Sequence, residues 1–501
     1  MRRATSAALC LALVTACGST VPVALRSAGP GTDGLSTVGP DGQETGPPLT
    51  GGVGLPDVSP TGQGGGASSA SAVPTATRLE SAGTTTGVAA IPLKGFGWDA
   101  KHVYLGITTY NDASTAFGTL GIPLNTGDMG ADARAVANAL NRAGGLFGRQ
   151  ITIVPYDVST ISSESDPGSA QQASCTKFTQ DSPVIAVGTF GPVDGEIFNG
   201  CMAHKKAMTV ALTGNPFDDQ LAKQFSPYFY QALMFSLDRA IPTLIARWKA
   251  QQYFTGWNAQ LGSPSPTSKV KVGVLYSTNG VGHRQGPRLV AAIKRAGYDA
   301  EGYELNTSLT STDGSGAVLK FQADGVTHVT AFDSALLTFE LSAKNQGYKP
   351  RVGLNSYFAP DALAQILGAS VFAGALGVGW LPGTDVAQGQ DPGLLGSQAW
   401  CFKALHDGGQ QMPSRFEKVV GLAICDGIRL PVLAAQAGGG LDGDTIREGV
   451  LRIAATYKPA VAGFGQSGLT PTSFGMPGRA RDLGFDSGCQ CFAYRGSSYS
   501  V

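Results

Sequence analysis

Histidine is scarce in this chain: five residues in 501, at His102, His204, His283, His328 and His406, none near another. Zinc centres and acid–base sites draw on clustered histidines, so neither is expected. His102 and His328 fall in predicted strands and read as core or edge residues. The patterns G-x-x-x-x-G-K-S/T, H-E-x-x-H and G-x-S-x-G are all missing. That removes the usual signs of a phosphate loop, a zinc-protease helix and a nucleophile elbow. Gly280-Val281-Gly282-His283-Arg284-Gln285-Gly286 comes after a predicted strand and imitates a dinucleotide loop. Its last glycine comes one residue late for G-x-G-x-x-G, so no cofactor is expected. Asp and Glu are too dispersed to nominate a catalytic pair. An excess of one charge is absent too: 36 Lys and Arg balance 36 Asp and Glu. Without a basic footprint, nucleic acid is not an expected partner.

Aromatic residues are missing from a long N-terminal stretch. Between Gly18 and Gly95 there is no Phe, Tyr or Trp, and Gly, Pro, Ser and Thr dominate. Such a segment buries too little apolar surface to offset its ordering entropy. Residues 17–95 are therefore expected to form a flexible tether, with a root-mean-square span of about 50 Å. Ahead of it, Arg2 and Arg3 precede an apolar run from Ala7 to Val14 and then small residues. This is the layout of an export signal, and the run is shorter than the ~20 residues that span a bilayer. Leu13-Val14-Thr15-Ala16-Cys17-Gly18 resembles a bacterial lipobox. The resemblance implies a signal peptide over residues 1–16 and diacylglycerol on Cys17. The protein would then be extracytoplasmic and held to the cell membrane by its lipid anchor.

Eight cysteines are present. Cys10 leaves with the signal and Cys17 carries the lipid. The others are Cys175, Cys201, Cys401, Cys425, Cys489 and Cys491, and an even number in an exported chain favours disulfides. Cys175 and Cys201 lie on successive predicted helices either side of a strand, so they are expected to pair. Cys401 and Cys425 lie on two late helices and are expected to pair as well. The sequence leaves the pairing of Cys489 and Cys491 open, with free or strained thiols as the plain alternative. No histidine or second cysteine pair sits near them to suggest a metal.

The roughly 400 residues beyond the tether exceed one usual core, so two lobes are expected. His102–Thr108, Ile151–Tyr156, Val184–Gly188 and Met208–Leu212 read as buried strands. A helix from Met129 to Ala143 has apolar residues at helical spacing and is stopped by Gly144-Gly145. After Gly262–Ser268 a second series begins. Its strands are Lys269–Tyr276, Val326–Phe332 and Arg351–Asn355, and its helices are Pro287–Ala296 and Ala335–Asn345. Strands alternating with helices imply an α/β chain with mainly parallel sheets.

The ordered series of these segments resembles the type 1 periplasmic binding protein family, in particular the receptors of branched-chain amino-acid ABC transporters. The likeness is carried by Ala135–Asp157, Val184–Gly188 with Met208–Asn215, Lys269–Gly282, Leu341–Asn355 and Ala423–Ala435. It implies two Rossmann-like lobes with parallel sheets joined by three crossovers, near residues 230–237, 379–384 and 459–464. Lobe one would hold 101–235 and 379–458; lobe two would hold 236–378 and 459–501. It also implies a small-molecule ligand and an ABC permease as partners.

Ligands of open α/β sheets bind beyond the carboxyl ends of the strands. In lobe one this rule nominates Thr109, Tyr110, Asn111, Thr189, Phe190, Gly191, Thr213, Gly214 and Asn215. In lobe two it nominates Ser277, Thr278, Asn279, Asp333, Ser334, Asn355, Ser356 and Tyr357. Small hydroxyls and backbone N–H groups suit a polar group, and the aromatics suit its apolar part. The same Ser, Thr and Asn residues also suit helix caps. Family amino-acid receptors hold the carboxylate with a Ser and a Thr and the ammonium with an acid. Here Thr213 falls near the second position, Gly191-Pro192 near the first, and Ser356 near the acid. Either Asp333 replaces that acid or the ligand lacks an amine. The expected function is capture of a small polar or amphipathic molecule for an ABC transporter. The alternatives are a ligand-sensing lipoprotein without transport and a secreted enzyme on this scaffold.

Overall fold

The computed structural model describes residues 91–115, 125–278, 280–306, 312–392, 396–462 and 464–501. The expected signal peptide, Cys17, most of the tether and Asn279 lie outside the described residues.

The first sheet contains β1 (His102–Thr109), β2 (Gln150–Asp157), β3 (Ala186–Thr189), β4 (Met208–Ala211) and β5 (Phe229–Gln231), in the order β2-β1-β3-β4-β5. Every pairing is parallel; Leu105 of β1 sits between Ile153 and Ala186. Parallel neighbours need crossover segments, which the intervening helices supply. Helix Met129–Arg142 shows how the sequence makes one. Met129, Ala133, Val136 and Ala137 share the buried face, and the Asp128 carboxylate accepts the Ala131 N–H at 2.8 Å as an N-cap. Gly144 and Gly145 then take positive φ where the helix stops.

A short hairpin, β6 (Trp257–Asn258) and β7 (Ser263–Pro264), precedes the second sheet. That sheet contains β8 (Lys271–Ser277), β9 (Asp299–Leu305), β10 (His328–Thr330), β11 (Arg351–Asn355), β12 (Leu376–Gly379), β13 (Arg479–Asp486) and β14 (Cys491–Ser500). Their order is β14-β13-β12-β11-β10-β8-β9, and only β13 and β14 are antiparallel to their neighbours.

The chain passes between the sheets three times. After β5 it enters helix Leu237–Ala250, whose next residue Gln251 donates from Nε2 to the Gly377 carbonyl of β12 at 2.8 Å. After β12 it returns through helix Gly396–Asp407, which packs beside helix Met129–Arg142. After helix Gly443–Ile453 it crosses again to β13. That last passage runs along β5, where Met476 N–H donates to the Gln231 carbonyl at 2.8 Å. Asp426 pins its start, accepting Tyr457 Oη at 2.7 Å and the N–H groups of Ala460 and Val461. Two Rossmann-like lobes joined by three crossovers result.

Helix Arg415–Gly438 begins with a capping box between Ser414 and Glu417. It is the single described helix long and apolar enough to cross a membrane, yet 83% of its apolar window is buried within the protein. It is a core helix.

One expectation is corrected. Helix Gly280–Arg295 starts at Gly280, well before Pro287. A Cβ on Gly282 would collide with Ser277 Oγ, and one on Gly286 with the Tyr276 ring. These glycines let the helix lie close against β8, so the dinucleotide-like stretch is a packing device. Cys489 and Cys491, whose pairing the sequence leaves open, are bonded to each other at a Cα separation of 5.2 Å. They lie at the turn where Asp486 of β13 pairs with Cys491 of β14, and the reversal brings them together. Disulfides also join Cys175 to Cys201 and Cys401 to Cys425, with Cα separations of 6.1 and 5.9 Å.

Candidate functional site

A cavity of about 290 Å³ lies where the carboxyl ends of the two sheets face each other. Tyr110 comes after β1, Phe190 and Gly191 after β3, and Thr213 and Gly214 after β4; all five line it. From the other lobe come Ser356 and Tyr357, directly after β11. Gly191 has a φ of +58°, and a Cβ there would stand 2.9 Å from the Tyr110 ring. Glycine thus lets the chain turn tightly over that aromatic.

The crossovers add to the wall. Leu233 and Met234 come from the first, Leu381 and Thr384 from the second. Beneath them Trp380 is fully buried, its ring 4.3 Å from that of Phe235 and 5.4 Å from that of Tyr357. Trp380 Nε1 donates to the Leu233 carbonyl at 2.9 Å. The first two crossovers are therefore tied side by side below the cavity. Helix Arg415–Gly438 contributes Phe416, Val419, Val420 and Ala423.

Apart from Thr126, the hydroxyls on this wall are turned toward protein partners. Tyr110 Oη donates to the Phe190 carbonyl at 2.8 Å and Tyr357 Oη to the Phe235 carbonyl at 2.5 Å. Thr213 Oγ1 donates to Asp194 at 3.2 Å, and Thr160 Oγ1 to Asp112 at 2.6 Å. Burial pushes the Asp194 carboxyl up to about 6, opposed by its bonds from Asn199 and Thr213. Ser356 Oγ accepts the Trp380 N–H at 2.7 Å and donates to Asp385 Oδ2 at 2.7 Å. Asp385 is fully buried, and its Oδ2 also receives Leu381 N–H and Tyr494 Oη. Burial raises its carboxyl to about 7, against the pull of those donors. Asp385 positions Ser356; it is not itself on the cavity wall.

The other nominated residues lie off the wall. Thr109 Oγ1 and the Asn111 N–H both bond Asp157 Oδ1, at 3.0 and 3.1 Å. Thr189 is buried at the end of β3. Asn215 is exposed, with its carbonyl toward Gln231. In lobe two, Asp333 accepts the Ser277 and Ala335 N–H groups at 3.1 and 3.0 Å, so it holds backbone. Thr278 and Ser334 are exposed at helix entries, and Asn355 is buried, bridging the Ala331 carbonyl and the Tyr357 N–H. The crossover residues and helix Arg415–Gly438 were missed by the strand-tip rule, which reaches only the residues just past the end of a strand. The apolar run Val419–Ala423 was a signal for a buried helix, not for a cavity wall.

A wider polar groove of about 690 Å³ flanks the lobe junction, between helices Asp219–Gln224 and Gly280–Arg295. Its two arginines are paired: Arg284 holds Asp218 at 2.9 Å and Arg288 holds Asp238 at 2.5 Å. Among the described residues, no group of three or more His, Cys, Asp or Glu is placed to hold a metal ion.

Facing parallel sheets, a cavity at their strand tips and three crossovers define the type 1 periplasmic binding protein fold. Solved structures with this architecture overlay the chain at low identity. A branched-chain amino acid ABC transporter protein from Thermus thermophilus with bound valine is 12% identical, with a TM-score of 0.55 over 80% of this chain and 96% of that one. A solute-binding protein of an ABC transporter from Rhodopseudomonas palustris in complex with p-hydroxybenzoic acid is 15% identical, with a TM-score of 0.57 over 80% and 97%. A fatty acid ABC transporter substrate-binding protein from Thermomonospora curvata is 14% identical, with a TM-score of 0.57 over 82% and 95%. No protein-family model matches the sequence, and no curated protein matches it.

Proposed function

We propose that this protein is an extracytoplasmic solute-binding protein that captures a small molecule between its lobes and presents it to an ABC permease. The observation that carries this reading is a cavity walled from both lobes and from the crossovers that join them. Its structural neighbours include ABC transporter proteins with valine or p-hydroxybenzoic acid bound. Among the described residues the wall carries no Asp, Glu, Lys, Arg, His or Cys, and binding is the role its apolar and hydroxyl side chains suit. Hinge closure would result: a ligand seated on the first-lobe tips favours the closed state through contacts to Ser356 and Tyr357. Cys17, in the lipobox-like segment, would tether the head to the membrane.

Native mass spectrometry of protein purified from its own host tests the reading. Wild type should retain a small-molecule adduct, and Thr213→Trp, which fills the cavity from its partly exposed rim, should lose it. An adduct of equal occupancy in both, or none in either, would count against this cavity.

A further inference from the structure

We propose that the captured solute is a neutral, mainly hydrocarbon molecule, one that carries neither the carboxylate nor the ammonium of an amino acid. This inference rests on the reading of the cavity as the solute site. A buried ion needs a counter-charge or several donors, because desolvation otherwise costs more than contact returns. Among the described residues, no ionisable side chain other than two tyrosines stands on the wall. Both tyrosines, Tyr110 and Tyr357, donate their hydroxyl protons to main-chain carbonyls. Thr213 and Thr160 donate theirs to aspartates, and Ser356 gives its proton to Asp385. Thr384 Oγ1 points to the Leu381 carbonyl at 3.3 Å. Apart from Thr126, the side-chain hydroxyls on the wall are thus committed to the protein.

The carboxylates that bond the wall hydroxyls are committed as well. Asp194 holds Asn199 and Thr213, Asp112 holds Ser159 and Thr160, and Asp385 lies behind Ser356. None stands on the wall to meet an ammonium. What faces the space is Phe190, Leu212, Met234, Phe416, Val419 and Val420. Such a surface suits an alkyl chain or an unsubstituted ring face, with methionine adapting to irregular shapes.

The test uses the full chain bearing Cys17→Ser, so that no detergent competes for apolar ligands. Calorimetric titration at neutral pH compares 1-octanol, octanoate and L-leucine, and fluorescence tracks uptake of neutral N-phenyl-1-naphthylamine. Octanol should bind at least about tenfold tighter than octanoate, and leucine should give no saturable binding. A smaller preference, or tighter binding of octanoate or leucine, overturns the ligand class and leaves the cavity standing as a solute site. Failure of all three ligands and of the fluorophore overturns both. Thr126→Arg supplies the missing counter-charge from a partly exposed wall position. It should tighten octanoate binding about tenfold with octanol little changed; unchanged octanoate affinity overturns the proposal.

Discussion

Glu340 is the residue most at odds with its surroundings. It lies on helix Ala335–Asn345, 2% exposed, and its Oε1 has no hydrogen-bond partner. Burial raises its carboxyl from 4.5 to about 8. The native state therefore keeps a proton that the unfolded chain releases near pH 4.5. Stability falls as pH rises through that window, by up to about 1.4 kcal/mol per unit from this group, and levels off above about pH 8. Glu340→Gln keeps the shape and removes the titration. Urea unfolding at pH 5 and pH 8 should show near-equal stability of the two proteins at pH 5 and a more stable variant at pH 8. Parallel pH profiles would mean that Glu340 finds a counter-ion or water in solution. His328 shows the opposite response to the same burial: it is held neutral, lowered to about 3, with Nε2 2.9 Å from the Tyr253 carbonyl. Its reading as a core histidine needed only its place in a strand. Nothing in the sequence around Glu340 separates it from an exposed helical glutamate, because its burial is set by helix packing.

At the scale of elements, the junction between lobes is held by a charged clasp. Asp218 caps helix Asp219–Gln224 of the first lobe and is fully buried. Helix Gly280–Arg295 of the second lobe brings Arg284 to it in a fork, at 2.9 and 3.1 Å, with Gln285 at 3.1 Å. Burial alone would raise the Asp218 carboxyl, but Arg284, Leu221 N–H and Gln285 together hold it below its ordinary value. A charge-assisted pair of this kind contributes about 1.5–3 kcal/mol. In the proposed hinge closure, a pair that spans the two lobes would favour the closed state. Arg284→Ala should weaken binding of the neutral fluorophore by roughly tenfold to a hundredfold and expand the protein in small-angle scattering. Arg284→Lys, which keeps the charge and loses the fork, should fall between. Unaltered affinity and scattering in both would show that the clasp does not govern closure.

Elements differ in how legible they were. Buried strands such as Arg351–Asn355 and helices with a clear apolar face and stop, such as Met129–Arg142, stand where their patterns put them. The start of Gly280–Arg295 was placed late, at Pro287, because Gly280–Gly286 imitates a dinucleotide loop, whereas close packing on β8 overrides propensity. The hairpin of β13 and β14 escaped notice because its residues alternate weakly and Cys489 and Cys491 drew attention as thiols. For the cavity, the strand-tip rule reached Tyr110, Phe190, Thr213 and Ser356. It was blind to Met234 and Val420, which are brought there by tertiary packing.

Across the whole molecule the two lobes are reinforced unequally, and the inequality matches the work proposed for them. Most of the cavity wall belongs to the first lobe and helix Arg415–Gly438. Two disulfides staple this part. Cys175–Cys201 joins helices flanking β3, and Cys401–Cys425 clips helix Gly396–Asp407 to helix Arg415–Gly438, whose earlier turns carry Val419, Val420 and Ala423. With sequence separations of 26 and 24, each contributes about 3 kcal/mol by restricting the unfolded chain. The second lobe has only the two-residue link between Cys489 and Cys491, which closes almost no loop. In the proposed mechanism, a first lobe stiffened by these disulfides would present a preformed surface, so that less ordering cost falls on binding, with the second lobe as its cover. Hydrogen exchange checks this division. Replacing both cysteines of the Cys401–Cys425 pair by Ser should speed exchange along Arg415–Gly438 and lower fluorophore affinity several-fold, with β8 and β10 protected as before. The same replacement at Cys489 and Cys491 should leave affinity unchanged. Uniform loss of protection across both sheets would instead show that the lobes unfold as one unit and that the staples serve global stability alone.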